Sequence, residues 1–258
     1  MVLSPRQIET FIETGAVRLD HAFARETAES CSNIIWRALG LSPDQPEGWT
    51  QPVLRITAPP LPPFRDAAAS PRLAGALDQL VGANRWTMPG ALGAIVARFP
   101  AAEKPWDDGW HIDASFPPAG DPQSQDYFQW RVNHQSLGRS LLMLLLFTDC
   151  GEDDAPTRVR LGSHAPMARQ LSSYGDAGIS LADLAQAGFG SSDHCEVALA
   201  TGPAGSVWLL HPFTVHAAQA HQGKHARFIA QPGLGWNGGP DIAHGGSPVE
   251  RAIGSATG

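Results

Sequence analysis

From Leu141 to Phe147 the chain runs through seven apolar residues without a polar interruption. The run is far too short to cross a bilayer, which takes about 20 residues. It also lacks the polar alternate positions of a half-exposed strand, so the pattern predicts a strand over Ser140–Thr148 buried on both faces. A strand of that kind needs a packed layer on each side. Gly138-Arg139 can turn the chain just before it, which makes a hairpin with a strand over Tyr127–Val132 the expected pairing.

The other elements fall in a marked order. Ser4-Pro5-Arg6-Gln7 is a capping box with proline at the first helical position, and Ile8, Phe11 and Ile12 keep helical spacing up to Gly15. Ala16–Leu19 reads as a strand, Ala24–Leu39 as a helix stopped by Gly40, and Ser70-Pro71 opens another that runs to Gly82. Between them, residues 41–70 carry seven prolines, from Pro43 to Pro63, and are expected to be irregular. Strands then follow at Ala94–Phe99, the stretch around residue 111, Tyr127–Val132, Ser140–Thr148, Thr157–Leu161, Ser206–Leu210, Val215–Ala218 and Arg227–Gln231, with one brief helix from Ser180 to Gly188. Helices first and about eight strands after them predict an all-β core with flanking helices: a double-stranded jelly roll with the N-terminal helices packed on one sheet. The expected organisation is a single domain over 1–244, helical to residue 90 and strand-rich over 91–235, with a flexible Gly-rich tail over 245–258.

Composition narrows the class of partner. The formal net charge is −7 with no Lys/Arg cluster, which argues against a nucleic-acid or anionic-membrane surface and for a small-molecule substrate. Cys31, Cys150 and Cys195 are few, scattered and in no metal or redox spacing, as suits a reducing cytoplasm. No signal peptide or membrane-spanning run is visible, so a cytoplasmic location is expected.

Trp110-His111-Ile112-Asp113 carries the chemistry. In an extended segment residues i and i+2 point to one face, so His111 and Asp113 can grip one metal ion from one side. A further histidine would complete the 2-His-1-carboxylate set of non-haem Fe(II) oxygenases, which leaves coordination positions open. With ten histidines in the chain, one His-x-Asp triplet means little alone. Two histidines compete for the third position: His211 ends one strand and His216 sits in the next. Arg227 follows His216 by eleven residues, and a buried guanidinium there would balance and orient the far carboxylate of a dianionic 2-oxoacid. His194-Cys195-Glu196 is a rival triplet, but the Pro-Cys-x-x-Cys of zinc deaminases is missing. His164 reads as a structural hydrogen bonder, and His221, His225 and His244 as solvated.

These pieces, in this order, resemble the phytanoyl-CoA dioxygenase family of Fe(II)- and 2-oxoglutarate-dependent oxygenases. The resemblance rests on Leu3–Phe11 with Gly15-Ala16-Val17, Gly109–Asp113, Phe147-Thr148-Asp149 with Gly162-Ser163-His164, and the closing segment from Gly205 through His216 to Arg227; it spans about residues 3 to 235. It implies His111, Asp113 and His216 as ligands of Fe(II), Arg227 as the 2-oxoglutarate anchor and a catalytic residue with them, and O2 as second cosubstrate. Arg98 and Gln129 are further candidates for cosubstrate contact, and Trp130, Arg131, Asn133 and Arg139 for substrate contact, with Trp106, Trp110 and Trp130 as candidate pocket walls. A jelly-roll module that binds a small molecule or a metal without catalysis is the competing expectation. Structural zinc sites usually close with four protein ligands, and only three are offered here.

Overall fold

The computed structural model describes residues 1–89, 92–101, 103 and 105–257, with the side chains of 256 and 257 left aside. In chain order its elements are α1 (Pro5–Thr14), β1 (Ala16–Leu19), α2 (Arg25–Leu39), β2 (Val53–Thr57), α3 (Pro62–Ala68), α4 (Pro71–Val81), β3 (Trp86–Thr87) and β4 (Ala94–Arg98). There follow β5 (Arg131–Val132), β6 (Leu141–Leu146), β7 (Arg158–Arg160), α5 (His164–Ser172), β8 (Ile179–Ser180), α6 (Leu181–Ala187), β9 (Val197–Leu199), β10 (Val207–Leu210), β11 (His216–Ala217), β12 (Arg227–Ala230), β13 (Gly233–Trp236) and α7 (Pro248–Thr257).

The large sheet runs β1-β10-β6-β12-β4-β2, with β13 and β3 attached at its side, and the facing sheet runs β11-β7-β9. Every pairing is antiparallel. This is the jelly roll with flanking helices that the sequence predicts. All six residues of β6 are buried, and strand alternation explains how. Leu141, Met143 and Leu145 join the core beneath the helices, whereas Leu142 and Leu144 pack with Val159 of the facing sheet and with Ala200 just beyond β9. Each such side chain contributes roughly 1.5 to 3 kcal/mol on burial.

Local signals account for the helices. At α1 the Ser4 hydroxyl accepts from Gln7 N–H and the Gln7 side chain accepts from Ser4 N–H, and Gly15, at φ 72°, closes the helix. Gly40 does the same for α2 in the left-handed conformation, and Ser180 caps α6 by accepting from Asp183 N–H. No helix among the described residues is long and apolar enough to cross a membrane.

Four expectations need correction. Residues 41–70 are not simply irregular, because β2 pairs along β4 and α3 begins at Pro62-Pro63, where a missing N–H costs nothing in the first helical turn. Tyr127–Gln129 forms a single 3-10 turn, only Arg131–Val132 is a strand, and it pairs with β8 in place of β6. The Gly162-Ser163-His164 loop opens directly into α5. Finally, the expected loose tail contains α7, with Val249, Ala252 and Ile253 buried and Glu250 bonded to Arg85.

Candidate active site

His111 and His216 face each other in an isolated antiparallel bridge, each donating its backbone N–H to the other's carbonyl at 2.9 Å. Directly opposed residues of an antiparallel pair put their side chains on one face, and the two imidazoles stand 4.4 Å apart, centroid to centroid. Asp113, two residues on in extended backbone, comes to the same face. One donor atom from each of His111, Asp113 and His216 lies within 4.8 Å of the other two, and this is the cluster of three or more metal-ligating side chains found among the described residues.

The stretch holding His111 and Asp113 is pinned at both ends without being part of a ladder. His111 is tied to His216, while Ser115 and Phe116 pair with the Arg131 backbone. On the other side, the turn after β10 is fixed by His211 N–H and Thr214 Oγ1 on the Gly15 carbonyl, and by Val215 N–H on Ser163 Oγ. A Cβ on Gly15 would stand 2.5 Å from His164 Nδ1, so glycine is needed there for space as well as for its positive φ.

Hydrogen bonds set the ring tautomers. His111 Nδ1 lies 2.9 Å from the Gly109 carbonyl and His216 Nδ1 3.0 Å from that of Thr214. A carbonyl only accepts, so both rings carry their proton on Nδ1 and present the Nε2 lone pair. Burial, with His111 beside it, pushes the His216 pKa down to about 4, so that ring is neutral at neutral pH. Burial alone would raise the Asp113 pKa, but Arg139 and the two imidazoles together hold it below the usual range. Two imidazoles and one ionised carboxylate are a donor set suited to a divalent first-row metal.

The remaining candidates fall into groups. Arg227 is buried at the head of β12 and stands directly opposite Arg98 of β4; the Nε atoms of both lack a partner among the described residues. Burial lowers the Arg227 pKa to about 10, still well charged at neutral pH. Arg98 gives a terminal nitrogen to both oxygens of Asp107 at 2.8 Å. Gln129 is exposed in the 3-10 turn.

The residues expected to contact substrate are largely committed elsewhere. Arg131 donates to the Ala177 and Gly178 carbonyls, Asn133 to that of Asp176, and Trp130 Nε1 to that of Ser124. Arg139 instead meets the candidate ligand itself, with NH1 2.7 Å from Asp113 Oδ2 and NH2 on the Ala114 carbonyl. Trp106 is exposed, and the Trp110 ring lies against the guanidinium groups of both Arg158 and Arg160.

The rival histidines separate cleanly. His211 is buried against Phe11, Phe213 and His164 and accepts from Phe213 N–H, away from the cluster. His194 and Glu196 are exposed, as are His225 and His244. His221, expected to be solvated, is buried. An apolar cavity of about 440 Å³ beside α3 and α4, lined by Phe64, Trp86, Met88 and Leu92, does not include the triad. Its wall offers no convergent ligating groups, so donor chemistry locates the site better than cavity size does.

The family model for phytanoyl-CoA dioxygenase (PhyH) matches residues 59–229, more than half of the chain. The chain belongs to the phytanoyl-CoA dioxygenase family. Among solved structures it is similar to HygX from Streptomyces hygroscopicus with nickel and 2-oxoglutarate bound, at 19% identity over 90% of this chain and 87% of that one, TM-score 0.57. It is similar also to the epimerase SnoN in complex with Fe3+, alpha ketoglutarate and nogalamycin RO, at 15% identity over 89% and 82%, TM-score 0.59. EctD from S. alaskensis, in its apoform, matches at 16% identity over 95% and 82%, TM-score 0.56. At these identities the likeness to solved structures is one of fold. No curated protein sequence matches the chain significantly.

Proposed function

We propose that the chain is an Fe(II)- and 2-oxoglutarate-dependent dioxygenase that hydroxylates an unactivated C–H bond of a small metabolite. The observation that carries this reading is the convergence of His111, Asp113 and His216, with donor atoms within 4.8 Å of one another and both Nε2 lone pairs freed by the bonds at Nδ1. Those three residues would hold the metal, and Arg227 would take the far carboxylate of 2-oxoglutarate. The unpartnered Nε of Arg227 fits that role, because a buried donor without an acceptor is costly unless a ligand supplies one. Family membership supports the reading, as do neighbours recorded with metal and 2-oxoglutarate.

Iron and 2-oxoglutarate, when bound, supply the oxidising power, with the oxo acid losing CO2 to become succinate as O2 is consumed. The protein's part is to hold and orient. The Gly109 and Thr214 carbonyls lock both imidazoles, and Arg139 fixes one Asp113 oxygen. Asp113 would hold the metal through a carboxylate where a halogenase would need room for halide, which favours hydroxylation over halogenation. HygX and SnoN are each recorded with a small molecule, hygromycin B and nogalamycin RO. Without a Lys/Arg cluster to meet the phosphates of an acyl-CoA, a moderate-sized metabolite is the substrate we favour here too.

Anaerobic addition of Fe(II) and 2-oxoglutarate is expected to give a visible charge-transfer band, and a metabolite panel to include one that stimulates succinate formation. Tightly held zinc, with neither band nor succinate, would replace this reading with a non-catalytic binding module. Strong stimulation by a long-chain acyl-CoA would overturn the substrate preference alone.

A further inference from the structure

Among the described residues five buried side-chain nitrogens make no hydrogen bond, and three of them, Arg98 Nε, Arg227 Nε and His221 Nε2, belong to β4, to β12 and to the connection leading into β12. The two arginines are opposed residues of β4 and β12, so their side chains share a face of the large sheet. His221 belongs to the connection between β11 and β12, the same connection that delivers Arg227 eleven residues after His216. Its ring lies within electrostatic reach of Arg227, Arg98 and Asp154.

The His221 tautomer follows from its surroundings. Gly223 N–H donates to His221 Nδ1 at 3.1 Å, so Nδ1 holds the lone pair and Nε2 carries the proton. The ring is drawn towards the His225 carbonyl, but Nε2 makes no hydrogen bond that meets normal geometry. The ring is also held in advance. Gln222 and Gly223 N–H groups both bond the Asp153 carbonyl, at 2.8 and 2.7 Å, and the Gln219 side chain bonds that of Pro156. A buried donor fixed in place beside two guanidinium groups, one of them already partnered by Asp107, describes an anion cradle that wants one more acceptor than the protein supplies.

We infer that His221 is a third donor to the far carboxylate of 2-oxoglutarate, acting beside Arg227 and Arg98. The inference rests on the proposed function and deepens it. A carboxylate has about four lone-pair directions, enough for all three donors. The neutral imidazole adds a directed hydrogen bond without adding charge to a pocket that already holds two buried arginines. The site therefore selects a 2-oxo dicarboxylate over a 2-oxo monocarboxylate, and the selection depends on a residue outside the metal set.

The test is equilibrium binding to Mn(II)-loaded protein, read by calorimetry with no turnover required. The probes are 2-oxoglutarate and 2-oxobutyrate, which keeps the oxo acid and lacks the far carboxylate. His221→Ala is expected to weaken 2-oxoglutarate about tenfold, the equivalent of about 1.4 kcal/mol, while 2-oxobutyrate and Mn(II) binding stay within about twofold. His221→Gln, whose amide nitrogen reaches close to the Nε2 position, is expected to recover part of the loss. Unchanged 2-oxoglutarate affinity in His221→Ala overturns the inference alone, and so does an equal loss for both oxo acids, which would mark a purely structural residue. Wild-type protein that binds Mn(II) but neither oxo acid overturns the cosubstrate reading and this inference with it.

Discussion

Asp113 carries its charge in a largely enclosed site, and without a metal the countercharge nearest its carboxylate is Arg139, at 2.7 Å from Oδ2. Removing one partner of such a pair leaves the other poorly solvated. Arg139→Ala is therefore expected to cost the metal-free protein about 1 to 3 kcal/mol in urea unfolding, and saturating Mn(II) to restore much of that by supplying the countercharge itself. Equal stability of variant and wild type without metal would show that solvent already screens the carboxylate. At the cosubstrate end, Arg227→Ala should leave metal affinity nearly intact and weaken 2-oxoglutarate at least about tenfold, with Arg227→Lys recovering only part because a point charge lacks the planar fork. Normal 2-oxoglutarate binding in Arg227→Ala would move the anchor elsewhere, Arg98 first. The triad was legible in the sequence because a spacing of two fixes a shared face, whatever the fold around it. The role of Arg139 was not, since it stands 26 positions after Asp113 and only tertiary structure closes that distance. His221 was misread for a related reason: its polar neighbours in sequence suggest solvent, while Asp153, far off in sequence, pins the loop inward.

Among the elements, α7 shows how composition can mislead. The approach to it, His244-Gly245-Gly246, reads as a loose end, but helix formation there is driven by packing against α5 and α1, and packing is invisible to local propensity. Glu250 locks it in place: its side chain is fully buried, bonded to Arg85, to Ser247 Oγ and to the Asp241 N–H. Glu250→Ala should destabilise the protein by about 2 kcal/mol, below the full value of a buried pair because Arg85 is one-third exposed. A change under about 0.5 kcal/mol in denaturant unfolding, the level of an ordinary surface substitution, would mean that α7 docks by its apolar face alone. The proline-rich segment teaches the complementary lesson. Proline excludes a helix interior, yet Pro62 and Pro63 occupy the first turn of α3, so a count of prolines says less than their position. Likewise β6, buried on both faces, was legible from its own residues, but its partners were not: β10, β12 and β13 all come from more than sixty residues later.

For the molecule as a whole, acid should be a specific weakness. His164 sits at the start of α5, with His211 beside it in the space between α1 and the end of β10, and burial pushes its pKa from 6.5 down to about 4. The unfolded chain takes up a proton near pH 6.5 that the fold refuses until about pH 4, so stability is complete above the first value and falls steadily towards the second. The loss reaches about 3 kcal/mol for this residue. Unfolding free energies measured from pH 7 to pH 5 should fall less steeply in His164→Gln than in the wild type; parallel curves would assign the acid sensitivity to other groups. The bridge between His111 and His216 bears on the molecule at the same scale, since it joins stretches 105 residues apart in sequence through two hydrogen bonds with no flanking rungs. An isolated bridge opens more readily than a ladder such as β6. In the metal-free protein the His111 and His216 amide protons should therefore exchange with solvent deuterium sooner than those of Leu142–Leu145. A divalent ion gripping both side chains would slow that exchange by a factor set by its concentration over its dissociation constant, so the two amides become a gauge of site occupancy that needs no substrate.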